Sequence, residues 1–247
     1  MKIALIQMSS QKGEISSNIE VTAQLFLKAQ ESGSDIIVFP EMNITGYFST
    51  PEYLKYALTL DSKEIAKILE LTRKTNNTII FGIAEKKDNK FYITQIVAES
   101  GKIIGVYRKK NIINDEAKIF TSDNSESIFN KNKLKYGITI CADIDLPELF
   151  QKYATSGCNL IIECASPDLY GNRNPRNWES GYKWWRDNCI EKIGKYAKNN
   201  NIKIVVATQS GRNIVDDFPG GGFFFSEKGK IIAETRDYKQ EILVIEL

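Results

Sequence analysis

The sequence predicts one α/β domain over residues 1–247, built on a mixed β-sheet with helices packed against it. Two patterns predict this class. Apolar runs of strand length alternate with amphipathic stretches of helical period, as in parallel βαβ units. Other apolar runs are joined by short turn signals, which indicates antiparallel hairpins in the same sheet. With 42% hydrophobic and 26% charged residues, the chain can bury a core of ordinary size.

The first half of the chain is predicted to alternate strands and helices. The expected elements are a strand at 2–8, a helix at 17–32, a strand at 35–39, a short helix after Pro51, a helix at 62–75 and a strand at 78–83. In the first helix, Ile19, Phe26 and Ala29 recur at helical spacing. Pro51 follows Thr50, a pattern that is typical of a helix start.

The second half is predicted to add a hairpin and further alternating elements. The expected elements are strands at 91–98, 102–107, 127–129 and 135–140, a helix from about 145 to Gly157, a strand at 160–162, a helix at 180–199, and strands at 203–207, 222–225, 229–234 and 241–246. Glu99-Ser100-Gly101 is a hairpin turn signal. Pro147 falls in the first turn of its helix and Gly157 at the C-cap, positions that these residues favour.

The charge balance and the cysteine pattern argue against several classes of function. Net charge is +2, from 33 basic and 31 acidic side chains, so no strong field would attract nucleic acid or an anionic membrane. No stretch is apolar enough to span a bilayer and the N-terminus lacks a signal-peptide core, so we expect a cytoplasmic protein. The chain has no histidine and no C-x-x-C pair, which argues against a zinc site. We expect Cys158, Cys164 and Cys189 to be small buried residues in a reducing compartment.

Cys141 is the cysteine that suggests chemistry, since it directly follows the apolar run 136–140. A cysteine nucleophile needs a proton acceptor, which proteins usually supply as imidazole. Because this chain has no histidine, the base for Cys141 would have to be a carboxylate or a lysine.

Three polar residues directly follow strand-like apolar runs, namely Glu41, Lys109 and Cys141. Functional sites in α/β folds collect at the C-terminal ends of strands, so an acid, a base and a thiol could meet there. Each residue alone has a simpler interpretation. Glu41 could be a loop carboxylate, Lys109 a solvated surface lysine and Cys141 a buried small residue.

Three blocks in a fixed order carry these residues: FPEMNITGY at 39–47, YRKK at 107–110 and GITICADIDLPE at 137–148. They resemble the F-P-E-x-x-x-x-G-Y, Y-R-K and G-x-x-I-C-x-D-x-x-x-P-E blocks of the nitrilase superfamily of carbon–nitrogen hydrolases. The opening strand and the closing hairpin around 220–231 are similar to those of the family too. The resemblance therefore extends along the whole chain.

This resemblance implies a four-layer α-β-β-α sandwich and pairing of subunits into a homodimer or larger homo-oligomer. It implies the catalytic set Glu41, Lys109 and Cys141, as base, oxyanion stabiliser and nucleophile. The segment DEAKIFT resembles the D-E-x-R-Y-F-T segment of the family, so Glu116 is the expected second glutamate and Glu126 is the alternative. No metal and no organic cofactor is implied.

Substrate-binding residues are expected around this set. The backbone N–H of Ala142 would help the lysine to hold the oxyanion, and Tyr47 of the first block is expected in the pocket. Arg176 or Arg173 could bind a substrate carboxylate, against the simpler interpretation that both are loop arginines in water.

Two departures from the family blocks leave the substrate subclass open. Asn111 stands where the family often has histidine, and Asp145 stands where it often has arginine. Neither position belongs to the chemical residues, but both are their neighbours in sequence and would shape the site.

The predicted function is hydrolysis of a small-molecule amide or N-carbamoyl C–N bond through a cysteine thioester. A nitrilase is the alternative enzyme, because the same thiol would attack a nitrile. A pseudoenzyme that binds a metabolite or a protein partner is the alternative of a different class. The acyl group, the leaving amine and the oligomer size stay open.

Overall fold

Two six-stranded β-sheets form the centre of the molecule, which a computed structural model describes over residues 1–125, 127–168, 177–213, 216–236 and 238–247. In chain order the strands are β1 (Lys2–Gln7), β2 (Ile36–Val38), β3 (Thr78–Lys87), β4 (Lys90–Glu99), β5 (Lys102–Arg108), β6 (Ile128–Lys131), β7 (Leu134–Ile140), β8 (Leu160–Ala165), β9 (Lys203–Thr208), β10 (Ser210–Arg212), β11 (Asp217–Pro219), β12 (Phe223–Phe225), β13 (Ile231–Glu234) and β14 (Glu241–Glu246).

Helices cover the outer faces of the two sheets. They are α1 (Ile15–Glu31), α2 (Lys63–Glu70), α3 (Pro147–Thr155), α4 (Trp178–Cys189) and α5 (Lys195–Asn200), with a π-helical segment at Ile190–Gly194 and 3-10 helices at Pro51–Tyr56, Asn114–Lys118 and Cys141–Asp145. Every helix in the described ranges is too short or too polar to cross a membrane.

Both sheets are mixed, as the sequence predicts. The first has the order β14-β1-β2-β3-β4-β5, in which β1, β2 and β3 are parallel and the other neighbours are antiparallel. The second has the order β13-β12-β9-β8-β7-β6, in which β7, β8 and β9 are parallel. Met8 and Gln209 form a parallel bridge, so the carboxyl ends of β1 and β9 meet across the two sheets.

Alternation of side chains along the strands produces the layers. In β1, Ile3 and Leu5 lie in the apolar cluster between the sheets, whereas Ala4 and Ile6 face α1 and pack with residues such as Phe26. The outer face of the second sheet packs in the same way against α3, α4, the π segment and α5. The predicted four-layer α-β-β-α sandwich is therefore confirmed.

Several element ends differ from those predicted. The helix expected at 62–75 ends at Glu70, and the strand expected to end at 83 continues to Lys87. Glu85 sits within that strand with 1% of its surface exposed, because Arg108 binds both of its carboxylate oxygens at 2.7 Å. A carboxylate that is paired in this way can be buried within a strand. In the sequence alone, a charged residue after an apolar run indicates that the strand has ended.

The helical elements of the second half largely match the prediction. The helix expected from about 145 begins at Pro147, and Gly157 follows its end with a φ of +80°. The helix expected at 180–199 is observed as α4, the π segment and α5 in direct succession. The β10–β11 ribbon has no predicted counterpart.

Candidate active site

Glu41, which follows β2, Lys109, which follows β5, and Glu116, in the 3-10 helix Asn114–Lys118, form a buried ionic cluster. The Lys109 ammonium donates to Glu41 Oε1 at 2.9 Å and to Glu116 Oε1 at 2.8 Å. The side chains of Lys109, Glu41 and Glu116 are 1%, 0% and 4% exposed. One cation is thus held between two carboxylates with almost no water around them.

The Glu41 loop is bound tightly to strand β3. The Gly82 N–H donates to Asn43 Oδ1 at 2.7 Å, and the Ala84 N–H donates to Thr45 Oγ1 at 3.0 Å. A Cβ at Gly82 would lie 2.3 Å from the Met42 backbone nitrogen, so only glycine lets the loop approach the strand this closely. These contacts fix the backbone that carries Glu41.

Strands of the second sheet fix the Glu41 residue from the other side. The Ser166 N–H, just beyond β8, donates to Glu41 Oε2 at 3.0 Å. The Glu41 carbonyl oxygen accepts from Ser166 Oγ and from Gln209 Nε2, both at 2.9 Å. With the Lys109 bond, both carboxylate oxygens of Glu41 have donors, which orients the group before any substrate arrives.

Cys141 sits at the junction between strand β7 and a 3-10 helix. Its φ is +46°, a left-handed conformation that costs a non-glycine residue about 1–2 kcal/mol. The buried Asp143 side chain holds this junction, because its Oδ2 accepts from the Ile140 N–H at 2.9 Å and from the Tyr107 hydroxyl at 2.7 Å. The strained backbone is therefore supported by its neighbours.

Asp143 and Asn111 also tie the cysteine turn to the lysine loop. Asp143 Oδ1 accepts from the Asn111 N–H at 2.7 Å. The Asn111 side-chain amide donates to the Ala142 carbonyl oxygen at 2.7 Å. The asparagine that replaces the histidine of the family block thus connects the segments after Lys109 and after Cys141.

The pKa values of the cluster follow from burial and from these contacts. Burial raises the pKa of Glu41 to about 7, with the Lys109 charge opposing the rise and the Glu116 charge adding to it. Burial also raises the pKa of the Cys141 thiol well above its usual range, and the Glu41 carboxylate raises it further. Burial alone would lower the pKa of Lys109, but Glu41 and Glu116 outweigh it and hold that pKa well above its usual range.

The resting site therefore combines a neutral thiol, a permanent ammonium and a carboxyl group that titrates near neutrality. A carboxylate of that basicity suits proton transfer at neutral pH. The Cys141 side chain also lowers the pKa of Glu41, so the two groups are close enough to interact. This arrangement can carry out acid–base chemistry at sulfur without histidine.

A cavity of about 350 Å³ opens over the cluster. Its walls include Tyr47, Lys109, Glu116, Cys141, Ala142, Ile144, Asp145, Ser166, Trp184 and Lys192. The Tyr47 hydroxyl donates to Glu116 Oε1 at 2.8 Å, so the tyrosine orients the glutamate as well as lining the cavity. Within the described ranges no group of histidine, cysteine or acidic residues has the arrangement of a metal site.

The structure brings most of the predicted site residues together. Arg173, Arg176 and the alternative glutamate, Glu126, lie outside the described residues. Ser166 and Gln209, which bind the Glu41 backbone, were not predicted. Ser166 does directly follow the apolar run of β8, the same strand-end position that drew attention to the other three residues.

The predicted burial of the other three cysteines is observed. All four cysteines are free, and Cys158, Cys164 and Cys189 are buried. Cys141 differs from them because it keeps part of its surface open to the cavity.

The sequence also matches a family model, that of the carbon-nitrogen hydrolases, over residues 2–247. The chain belongs to the carbon-nitrogen hydrolase family. Among its relatives, the glutamine-dependent NAD(+) synthetase of Acinetobacter baylyi is 24% identical over 98% of this chain and 43% of that protein. The 2-oxoglutaramate amidase of Bacillus subtilis is 26% identical over 94% of this chain and 85% of that protein.

Solved structures of the nitrilase superfamily share the fold of this carbon-nitrogen hydrolase. An amidase from Nesterenkonia AN1 superposes with a TM-score of 0.84 at 17% identity, covering 100% of this chain and 90% of that one. The family-model match and the nitrilase relatives confirm the predicted membership of the superfamily, and the shared fold agrees with it. The chain spans less than half of the NAD(+) synthetase but most of the two amidases. The single-domain interpretation, the homo-oligomer and the cytoplasmic location stay predictions.

Proposed function

We propose that this protein hydrolyses a small-molecule amide or N-carbamoyl compound through a thioester on Cys141. The observation that supports this most strongly is the Lys109 ammonium held at 2.9 and 2.8 Å from two buried carboxylates, beneath a cavity that the cysteine sulfur shares. A structural ion pair would have no reason to adjoin a strained cysteine at the floor of a cavity. An acyl-transfer site without histidine would use that arrangement to supply a nucleophile, a base and an oxyanion stabiliser.

In the acylation step, Glu41 accepts the thiol proton as the Cys141 sulfur attacks the carbonyl carbon. The π electrons of the carbonyl move onto its oxygen, and Lys109 and the backbone N–H of Ala142 stabilise the resulting oxyanion. Collapse of the intermediate re-forms the carbonyl, breaks the C–N bond and leaves a thioester. The departing nitrogen takes the proton from Glu41 and leaves as ammonia or an amine. A Glu41 pKa of about 7 suits both transfers.

Hydrolysis of the thioester repeats the step with water. Glu41 takes a proton from the water as its oxygen attacks, and the thiol of Cys141 recovers that proton on leaving. Glu116 binds both Lys109 and Tyr47, so it is suited to hold the lysine in place and to orient the substrate amide or the water. These residues need no metal ion or organic cofactor for either step.

The names of the relatives support an amide as the substrate. One relative is a 2-oxoglutaramate amidase, and a shorter match over 69% of this chain is an (R)-stereoselective amidase. The synthetase relatives are glutamine-dependent, but this chain spans less than half of them, so a synthetase activity does not transfer from the likeness.

A substrate panel tests the proposal. Purified protein is incubated with primary amides, N-carbamoyl compounds and nitriles, while ammonia is measured and the products are identified. We expect ammonia and a carboxylic acid from at least one primary amide, or ammonia, carbon dioxide and an amine from at least one N-carbamoyl compound, and no turnover by Cys141→Ser. Cys158→Ser is the matched control, since Cys158 is buried away from the cavity, and it should keep its activity.

Other outcomes of the panel would contradict the proposal. Turnover of nitriles alone would indicate a nitrilase. If the folded protein hydrolyses no compound of the panel, a binding protein is favoured. If activity survives Cys141→Ser, a different nucleophile is favoured.

A further inference from the structure

A pair of opposite charges lies in the wall of the cavity. The Lys192 ammonium contacts Asp145 Oδ1, and both residues line the cavity over Cys141. Their side chains are 33% and 48% exposed, so a ligand in the cavity can reach both. This differs from the buried cluster below, where the charges are almost completely enclosed.

The 3-10 helix sets the separation between the backbones of Cys141 and Asp145. Asp145 is the last residue of the 3-10 helix that begins at Cys141. At a rise of about 2 Å per residue, its backbone lies roughly 8 Å along the helix axis from that of Cys141. The family block often has arginine here, so this chain carries the opposite charge at a position next to the reacting centre.

Lys192 reaches the same point from the π-helical segment Ile190–Gly194. Such segments occur frequently at functional sites, because they redirect side chains within a helix. Close packing holds the segment, since a Cβ at Gly229 would lie 2.3 Å from the Gly194 carbonyl oxygen. The Tyr196 hydroxyl donates to the Ile144 carbonyl oxygen at 3.0 Å, which ties α5 to the cysteine turn.

We propose that Asp145 and Lys192 select amides whose far end is a zwitterion, such as the side-chain amide of an α-amino acid. Asp145 binds the ammonium of the substrate and Lys192 binds its carboxylate. This inference rests on the proposed amide hydrolysis and adds the class of substrate.

Charge complementarity favours a zwitterion over simpler amides. When a zwitterion binds, Asp145 exchanges the Lys192 ammonium for the ammonium of the substrate. Lys192 likewise exchanges the Asp145 carboxylate for the carboxylate of the substrate, so every charge keeps a partner. A substrate with only a carboxylate would leave Asp145 without its cation, and a substrate with only an ammonium would leave Lys192 without its anion. An exposed ion pair contributes little to stability, so opening it costs little.

The reach of such a substrate fits the site. In a glutamine-type skeleton, three C–C bonds of about 1.5 Å separate the amide carbon from the α-carbon, a span of roughly 4 Å. The cysteine and aspartate side chains cover the remaining distance from the two ends.

The test compares four amides that share one skeleton. Glutamine carries both charges, 4-aminobutanamide only the ammonium, glutaramate only the carboxylate, and butanamide neither. For the wild-type protein we expect kcat/KM to be at least tenfold higher for glutamine than for each of the other three.

Single substitutions then assign the two charges. We expect Lys192→Met to lower the ratio of kcat/KM for glutamine to that for 4-aminobutanamide at least tenfold. Asp145→Asn should do the same to the ratio of glutamine to glutaramate. Lys183→Met is the matched control, because the Lys183–Asp187 pair lies on α4 outside the cavity, and it should change neither ratio. The double variant Asp145→Lys with Lys192→Asp exchanges the two charges and should restore part of the preference for glutamine that each single variant loses. A folding defect would not restore this preference.

The outcomes separate this inference from the proposed function. Suppose that butanamide is hydrolysed in a Cys141-dependent way, but kcat/KM for glutaramate equals or exceeds that for glutamine. That result would overturn the inference and would still support amide hydrolysis. Ratios unaffected by Lys192→Met and Asp145→Asn would overturn it too. Failure of the wild-type protein to hydrolyse any of the four amides would overturn the inference, and the wider substrate panel would then decide on the proposed function.

Discussion

Replacement of Lys109 by methionine tests how the buried cluster is held together. The substitution keeps an unbranched side chain, one atom shorter, but removes the charge that Glu41 and Glu116 share at 2.9 and 2.8 Å. Removing one member of a buried ionic group leaves uncompensated charge, which costs about 3–5 kcal/mol of folding free energy. At neutral pH we therefore expect Lys109→Met to be destabilised by that amount.

The loss should depend on pH in a defined direction. The folded-state pKa of Glu41 is already raised by burial from 4.5 to about 7, and removal of the Lys109 charge raises it further. A carboxyl group whose pKa is raised on folding stabilises the fold below its unfolded pKa, and this stability is lost as the pH rises through the folded pKa. Lys109→Met should therefore be close to the wild-type stability near pH 4.5 and should lose stability as the pH rises towards and beyond 7.

Urea denaturation at pH 5 and at pH 7.5 measures this effect, with Lys110→Met as the matched control. Lys110 is the next residue, and its ammonium donates to the Ser125 carbonyl oxygen on the surface. Equal stability of the two variants at pH 7.5, or a loss that does not change with pH, would refute the inference that Lys109 neutralises the buried carboxylates. The same variant should also lose about a hundred- to thousandfold in kcat, as expected for removal of an oxyanion stabiliser.

Three further predictions follow from the same contacts. Because Glu41 must be ionised to accept the thiol proton, kcat/KM should rise with pH through about 7. Glu41→Gln should abolish both the activity and this rise. If the rise persists in the variant, another group causes the pH dependence. Gly82→Ala would push a Cβ to within 2.3 Å of the Met42 nitrogen, so calorimetry should show a loss of more than about 2 kcal/mol together with lost activity; wild-type stability would mean that the loop is free to move. Cys141→Gly should be about 1 kcal/mol more stable than Cys141→Ala, since glycine alone accepts a φ of +46° without strain; the reverse order would show that the backbone relaxes.

Local sequence patterns drew attention to three polar residues at the ends of strands, and the family resemblance then suggested their roles. Glu41 and Lys109 follow strands of the first sheet and Cys141 follows a strand of the second, so the packing of the two sheets is needed to bring the three strand ends together. The second glutamate, Glu116, needed the resemblance to a family, because nothing in its own surroundings distinguishes it from an exposed acidic residue.

The contacts that orient these residues could not be predicted in the same way. Ser166 and Gln209 bind Glu41 from 125 and 168 positions further along the chain, and only the packing of the two sheets brings them there. Glu85 looks like the end of a strand until Arg108, two strands away in the sheet, is known to pair with it.

The π-helical segment could not be predicted from the sequence for a different reason. Its five residues continue the apolar period of a normal helix, and no proline interrupts them. Gly194 at the end of this segment packs closely against Gly229, a tertiary contact that leaves no local signal in the sequence.

The most direct measurement is the mass of the intact protein, quenched in acid during turnover of an amide and then mapped by peptide. Formation of the thioester replaces the thiol hydrogen by the acyl group and releases ammonia. The protein should therefore gain the mass of the amide less that of ammonia, on the peptide that contains Cys141, and Cys158→Ser should gain the same mass. Turnover without any adduct under conditions that trap thioesters, or an adduct that remains in Cys141→Ser, would contradict covalent catalysis at this sulfur.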